Sequence, residues 1–259
     1  MKLPNKKIGV LDLNIDNIYI LNSLRNYFKN DDIFYVNAFT DESLDEIDVD
    51  ELKKNILISI EFLVNKNIDI LLVVSDSIVE HCEELFSDVS IPLVDIINST
   101  IDYVNENYEY KNIGFLSSNS IIEANIYQKN INYNHLYNMV GDDLNNLIKT
   151  HLVKTTESFQ ETKNVISSIY KKDVDIIIPS KVNYLTVKTE IFEYIKDIEI
   201  IPVDEILVNN IKQTLYKEED CPLKGKGITY LCTNNPIDKD CLKRLLKIKC
   251  KTLELNQSL

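Results

Sequence analysis

The chain has 259 residues, of which 44% are hydrophobic and 27% charged, so it is not intrinsically disordered and can form one large domain or two small ones. Its 28 Lys and Arg residues against 41 Asp and Glu residues give a net charge of −13, which argues against a nucleic-acid partner. No apolar run reaches the ~18 residues of a membrane span and the amino terminus lacks a signal-peptide core, so we expect a cytoplasmic protein with no membrane partner.

Short β-branched runs alternate with amphipathic stretches in the first part of the chain. The patterns predict strands at residues 8–12, 33–38 and 68–74, and helices at 17–30, 48–65 and from about Ser77 onward. The third strand is a continuous apolar run, which is typical of a strand buried in a parallel sheet.

The same alternation continues downstream. It predicts strands at residues 112–116, 135–139, 175–178, 198–203 and 228–232, and helices at 120–130, 156–171, 204–216 and from about Asp238. Strand–helix alternation of this kind indicates parallel sheets with right-handed crossovers. The polar run at residues 217–222 is the clearest predicted linker.

Each half of the chain contains one similar segment. Residues 70–76 (ILLVVSD) and 175–181 (DIIIPSK) are both apolar strands that end in a serine, Ser75 and Ser180. Ligands of parallel α/β sheets bind at the carboxyl ends of strands, beside helix N-termini that favour anions, so both serines are candidates for a binding site. The simpler alternative is that each serine only caps the helix that follows it.

Glycines and cysteines offer no strong motif. The five glycines form neither G-x-G-x-x-G nor a P-loop, so the common phosphate-binding turns are absent. The five cysteines contain no C-x-x-C pair, and we expect reduced structural thiols and no metal. A zinc site built from the last four is the alternative, but their wide spacing and the lack of a nearby histidine disfavour it: Cys221, Cys232, Cys241 and Cys250.

Four segments carry a resemblance to a known family. Residues 8–12 form a strand ending in aspartate, residues 91–94 read IPLV, residues 113–128 join a strand to a Tyr-bearing helix, and residues 228–245 include the turn CTNNP. In this order, over nearly the whole chain, they resemble the glutamate racemases of the aspartate/glutamate racemase superfamily. The resemblance implies an α/β fold with two similar lobes, each a parallel sheet flanked by helices, and a cleft between them. It assigns residues 1–98 plus 204–259 to one lobe and 99–203 to the other.

The resemblance also implies a reaction and its site. In that family two cysteines form a cofactor-free acid–base pair, one thiolate removing the α-proton while the opposite thiol protonates the other face. Ser75 and Ser180 stand at these two positions and are predicted to face each other within about 15 Å. The substrate-binding positions are Asp12, Asp76, Ser77, Ser117 and Lys181.

The sequence departs from the family pattern at several of these places. Leu13-Asn14 replaces Ser-Gly, residues 42–44 (ESL) replace Pro-Tyr-Gly, and no histidine follows Ser180. Asp76 replaces an amide and would repel an acidic amino acid unless Lys181 compensates for its charge. A serine hydroxyl is also a far weaker acid than a thiol.

Three functions follow as hypotheses. The first is a racemase-like protein, related by resemblance to peptidoglycan-precursor synthesis, that binds a small dicarboxylic amino acid, a related anion or zwitterion, or a partner, without racemising it. The second is an enzyme acting on an amino acid or related carboxylate through Asp12, Asp76 or Lys181. The third is a structural or regulatory protein that interacts through its acidic surface. A homodimer is left open in each case.

Overall fold

The computed structural model describes residues 5–38, 48–150, 152–216, 224–234, 242 and 245–255. By its internal contacts the chain divides into two compact units. The first comprises Met1–Ile96 with Leu207–Leu259, and the second comprises Ile97–Ile206. None of the helices within the described ranges is long and apolar enough to cross a membrane.

The strands form one parallel sheet in each unit. In chain order the described strands are β1 (Lys7–Asp12), β2 (Asp32–Asn37), β3 (Ile70–Val73), β4 (Leu93–Asp95), β5 (Lys111–Ser117), β6 (Tyr133–Val140), β7 (Ile176–Pro179), β8 (Glu199–Ile200), β9 (Thr229–Cys232) and β10 (Cys250–Leu253). The first sheet has the order β10-β9-β2-β1-β3-β4 and the second the order β6-β5-β7-β8. All of these described pairings are parallel.

Helices connect and flank the strands. Those described are α1 (Ile20–Tyr27), α2 (Val49–Asn65), α3 (Asp76–Cys82), α4 (Ile96–Asn107), α5 (Asn119–Ala124), α6 (Ile126–Asn130), α7 (Asp142–Lys149), α8 (Thr156–Ile166), α9 (Lys188–Tyr194) and α10 (Val203–Tyr216). Within the described residues, 3-10 helices lie at Glu83–Phe86 and Val182–Val187. The predicted fold class, α/β with two parallel sheets flanked by helices, is confirmed.

Local sequence signals account for the elements that carry the candidate site. All four residues of β3 and all four of β7 are buried, as expected for apolar runs in the middle of a parallel sheet. The longest helix, α2, begins where the Asp48 carboxylate accepts a hydrogen bond from the backbone N–H of Asp50 at 3.2 Å. The negative charges of Asp50 and Glu51 in its first turn also interact favourably with the positive end of the helix dipole.

Three predicted elements differ from the structure for local physical reasons. The predicted helix 120–130 is broken into α5 and α6 because Asn125 adopts a left-handed φ of 65°, a conformation that Asn tolerates better than most residues. The predicted helix 156–171 ends at Ile166, after which the hydroxyls of Ser167 and Ser168 hydrogen-bond to helix carbonyls. The predicted strand 198–203 is cut short by Pro202, which lacks a backbone donor.

Other differences concern elements that the periodicity did not predict. Helices α4 and α7 and strands β4 and β10 are present in addition to the elements that the periodicity predicts. The predicted linker 217–222 lies outside the described residues. Of the predicted closing helix from about Asp238, Leu242 and Leu245 are described and are helical.

Polar contacts hold the returning end of the chain against the first sheet. The guanidinium of Arg25 donates through Nε and Nη2 to Thr229 Oγ1 at 3.1 and 2.8 Å, which ties α1 to β9. The hydroxyl of Tyr216 donates to Asp31 Oδ2, and burial raises the pKa of that carboxyl. The backbone N–H of Ile228 donates to Asp32 Oδ1 at 2.8 Å. The C-terminal segment is thereby an integral part of the first unit.

Candidate functional site

The first group of candidate residues lies at the carboxyl edge of the first sheet. Asp12 is the last residue of β1 and pairs in register with Asn37 at the end of β2. On the other side of β1, the backbone N–H of Val74 donates to the Leu11 carbonyl at 3.0 Å. Ser75 therefore follows a strand that ends beside Asp12.

Asp12 is fully buried and accepts hydrogen bonds from its own unit. Its Oδ1 accepts from the backbone N–H of Leu13 at 2.9 Å and from Asn17 Nδ2 at 3.3 Å. Its Oδ2 accepts from the backbone N–H of Asn17 at 2.8 Å and from the Tyr35 hydroxyl. A ligand would have to share the Asp12 carboxylate with these donors, which fasten the turn after β1 to β2.

Burial is the main influence on the pKa values of Asp12 and Tyr35. Desolvation raises the pKa of Asp12, and the nearby Asp16 raises it further, while the hydrogen bonds from Tyr35 and Asn17 oppose the change. Desolvation and the neighbouring Asp12 carboxylate place the pKa of Tyr35 well above its usual range. The Tyr35 hydroxyl is therefore a donor at neutral pH and not a phenolate.

Ser75, Asp76 and Ser77 lie together at the start of α3, and all three are buried. Ser75 occupies the N-cap position, and its carbonyl accepts from the backbone N–H of Val79 at 3.2 Å. Its hydroxyl makes no capping hydrogen bond, so the capping role does not explain a serine at this position. Asp76 begins the helix, where its charge is favoured by the helix dipole.

The second group lies at the carboxyl edge of the second sheet. Ser117 ends β5, Ser180 follows β7, and both are fully buried. The Ser117 hydroxyl donates to Ser180 Oγ at 2.8 Å, and the backbone N–H of Ser180 donates to the Leu116 carbonyl at 2.9 Å. The structure thus brings two of the predicted site residues into direct contact, although 63 positions separate them in the chain.

A glycine and a tyrosine close this edge. The backbone N–H of Gly141 donates to the Ser117 carbonyl at 2.8 Å, and the buried Tyr184 hydroxyl donates to the Gly141 carbonyl at 3.1 Å. A Cβ atom at Gly141 would lie 2.8 Å from the Tyr184 hydroxyl, so this close approach requires glycine. Lys181 is buried beside Ser180 and precedes the 3-10 helix Val182–Val187.

The serine pair can be tested by its contribution to stability. We expect Ser117→Ala and Ser180→Ala each to lower the free energy of unfolding by about 1–3 kcal/mol, because each change leaves the other buried hydroxyl without this partner. The double variant should lose less than the sum, by about 1 kcal/mol, in urea denaturation. Thr189→Ala, at an exposed position of the same unit, should change stability by no more than about 0.5 kcal/mol. Additive effects of the two buried changes would show that the hydroxyls do not interact.

The described thiols are not suited to act as an acid–base pair at neutral pH. Burial raises the pKa of Cys82 to about 11, that of Cys250 to about 11 and that of Cys232 to about 12, so all three stay protonated at neutral pH. Within the described residues no cluster of three His, Cys, Asp or Glu side chains could hold a metal ion. Cys221 and Cys241 lie outside those residues.

The chain is similar in sequence to curated glutamate racemases. No protein-family profile matches the chain. The curated glutamate racemase of Hydrogenobaculum sp. is 19% identical over 216 residues, covering 82% of this chain and 83% of its own. That of Aquifex pyrophilus is 21% identical over 208 residues, covering 78% and 80%. The chain is a distant homologue of the glutamate racemases.

Solved structures agree with this relationship at the level of the fold. The glutamate racemase of Francisella tularensis in complex with D-glutamate has a TM-score of 0.79 at 16% identity, covering 98% of this chain and 99% of its own. The glutamate racemase of Thermus thermophilus in complex with β-chloro-D-alanine has a TM-score of 0.82 at 14% identity, covering 98% of each chain. This chain therefore has the glutamate racemase fold.

The sequence pattern indicates candidate residues at both sheet edges but not several residues that hold them in place. Tyr35 lies two residues before Asn37, and its role follows only from the parallel register of β1 and β2. Tyr184 donates a hydrogen bond to the carbonyl of Gly141, which lies 43 positions away in the chain. The segment 42–44 lies outside the described residues, and the expectation that Ser75 and Ser180 face each other stays a prediction.

Proposed function

We propose that this chain is a non-racemising relative of the glutamate racemases that binds a small zwitterionic ligand, such as an amino acid. The Ser117–Ser180 hydrogen bond carries the proposal. Ser180, which by the resemblance takes the position of the family's second cysteine, has a buried hydroxyl that already interacts with the Ser117 hydroxyl at 2.8 Å. Such a group has neither the acidity nor the exposure that proton transfer to a substrate carbon requires.

The charges at the two sheet edges support a zwitterion as the ligand. The first edge carries the buried carboxyl groups of Asp12, Asp16 and Asp76, which favour an ammonium group. The second carries the Lys181 ammonium with the serine hydroxyls, which favour a carboxylate. The Francisella tularensis relative was solved with D-glutamate, which also supports an amino acid as the ligand of this chain. Because Asp76 would repel a second carboxylate, we expect neutral amino acids to bind at least as well as glutamate.

We further propose a cytoplasmic location, which the free thiols of Cys82, Cys232 and Cys250 support. We also propose that residues 1–98 plus 204–259 form one lobe and residues 99–203 the other. A role near peptidoglycan-precursor synthesis depends on the ligand and is proposed only if an amino acid of that pathway binds.

Thermal unfolding with a panel of amino acids tests the ligand proposal. At about 100 times its Kd, a ligand should raise Tm by roughly 5–10 °C for a chain of this size. We expect at least one of the D- and L-forms of glutamate, aspartate and alanine to do so. Lys181→Met should reduce the shift, whereas Lys163→Met, at an exposed position of α8, should leave it unchanged. The absence of any shift across the panel would favour a structural or regulatory protein instead.

A further inference from the structure

A groove lies in the first unit, away from the sheet edges that carry the candidate site. It has a volume of about 630 Å³ and runs between α2 and the segment that joins α3 to β4. We call it the α2 groove. Its apolar lining consists of Leu57, Ile60, Val64, Leu85, Val89 and Ile91.

The wall formed by α2 presents apolar side chains to solvent. Leu57 is 43% exposed and Val64 is 42% exposed, with the buried Ile60 between them. These three follow each other at spacings of three and four residues, so they form one ridge along the helix surface. An apolar ridge beside an apolar groove is the geometry that accepts a second amphipathic helix.

The charges that line the α2 groove favour some classes of binding partner over others. All charged residues that line it are acidic, namely Glu61, Glu84 and Asp88. Lys53 contacts Glu84 but does not line the groove. These three residues, which we call the acidic rim, would repel nucleic acid and anionic lipid. A second copy of this chain, with its net charge of −13, would also present an acidic surface to the rim.

We propose that the α2 groove binds an amphipathic helix of a partner protein, one with an apolar stripe flanked by lysine or arginine. Apolar side chains of the partner would cover Leu57 and Val64, and its basic side chains would meet Glu61 and Asp88. This function is independent of ligand binding at the sheet edges.

A synthetic peptide tests the proposal on the full chain. The probe is an 18-residue, fluorescein-labelled helix with Leu at positions i, i+3, i+4 and i+7 and Lys at most other positions, measured by fluorescence anisotropy. We expect saturable binding that weakens as salt rises. Leu57→Asp should weaken it by about tenfold or more, because a charge replaces a buried apolar contact. Ile58→Asp is the matched control, since Ile58 is 40% exposed on the same helix but does not line the groove.

A second pair of variants, one in the acidic rim and one outside it, tests the role of charge. Glu61→Lys should weaken peptide binding severalfold and reduce its salt dependence, whereas Glu51→Lys, exposed on the first turn of the same helix, should change neither. Val64→Asp repeats the test at a second apolar position, and circular dichroism checks the folding of each variant.

Four outcomes would overturn the proposal. A scrambled peptide of the same composition could bind equally well, or Ile58→Asp could weaken binding as much as Leu57→Asp. Sedimentation could show a dimer that Leu57→Asp dissociates, which would assign the groove to a second copy. Anionic lipid vesicles could bind through Leu57, which would assign it to a membrane surface.

Discussion

We expect the purified chain not to racemise D- or L-glutamate at a detectable rate. Racemisation needs one group to remove the weakly acidic α-proton and a second to protonate the opposite face. By the resemblance in sequence, Ser75 and Ser180 take the positions of the family's two thiols, and the buried Ser180 hydroxyl is hydrogen-bonded to Ser117. Loss of one positioned acid–base group typically costs ~10²–10⁴ in rate. The two losses need not multiply, because groups that act as a unit are not additive.

Two measurements check this expectation. A coupled assay follows conversion of each enantiomer, and NMR in D₂O follows exchange of the α-proton, which would reveal proton removal even without inversion. We expect neither signal. The double variant Ser75→Cys, Ser180→Cys should also stay inactive, because the histidine and the Pro-Tyr-Gly segment of the family are absent from this sequence.

The opposite results would assign a different function. Robust racemisation by the unmodified chain that disappears in Ser75→Ala would show that a serine serves as an acid–base group here. Exchange without inversion would favour an enzyme that uses Asp12, Asp76 or Lys181. Activity gained by the double cysteine variant would show that the serines are the only defect.

The second large effect concerns the stability of the first unit. We expect Asp12→Ala to lower the free energy of unfolding by about 3–5 kcal/mol, because it removes the acceptor of four buried donors, and each donor that finds no new partner costs ~1–3 kcal/mol. These donors are the Tyr35 hydroxyl, Asn17 Nδ2 and the backbone N–H groups of Leu13 and Asn17. Tyr35→Phe should cost less, about 1–3 kcal/mol, since other donors still reach Asp12. Urea denaturation of both single variants and the double variant measures the coupling between the two side chains.

The same carboxyl group predicts a pH dependence. The pKa of Asp12 is raised in the folded chain above the 3.8 of an ordinary aspartate, mainly by burial. The folded state thus holds this proton to higher pH than the unfolded state does. Its contribution to stability is complete below about pH 3.8 and is lost as the pH rises through the folded pKa. The hydrogen bond from Tyr35 lowers the pKa of Asp12, so its removal in Tyr35→Phe should raise that pKa further. The loss of stability in this variant should therefore extend to higher pH. In Asp12→Ala this part of the pH dependence should vanish, and an unchanged profile would contradict the assignment.

The sequence predicts the parts of this molecule that depend on neighbouring residues. The apolar runs of β3 and β7 and the Asp48 cap of α2 are local signals, and the structure has all three. The break at Asn125 is not visible in a hydrophobic period, because the flanking residues keep helical spacing on both sides. Local patterns therefore give the sheet-and-helix order but not every helix boundary.

The chemistry of the candidate site depends on contacts that no local pattern encodes. Ser180 can be placed at the end of a strand from its sequence alone, but its hydrogen bond to Ser117 requires that β5 and β7 be neighbours. Tyr35 likewise meets Asp12 only because β1 and β2 pair in register. Such contacts decide whether a hydroxyl or a carboxyl group is available to a ligand.

The first unit consists of two separate segments of the chain, which has a consequence during synthesis on the ribosome. The second unit is one continuous segment, Ile97–Ile206, and can fold as soon as it has emerged. The first sheet cannot be completed then, because β9, the outer neighbour of β2, comes from the far end of the chain. At typical translation rates, β2 stays an unpaired edge for on the order of ten seconds after β4 has been made. An open strand edge is a template for aggregation, so the nascent chain should need a chaperone most during that interval.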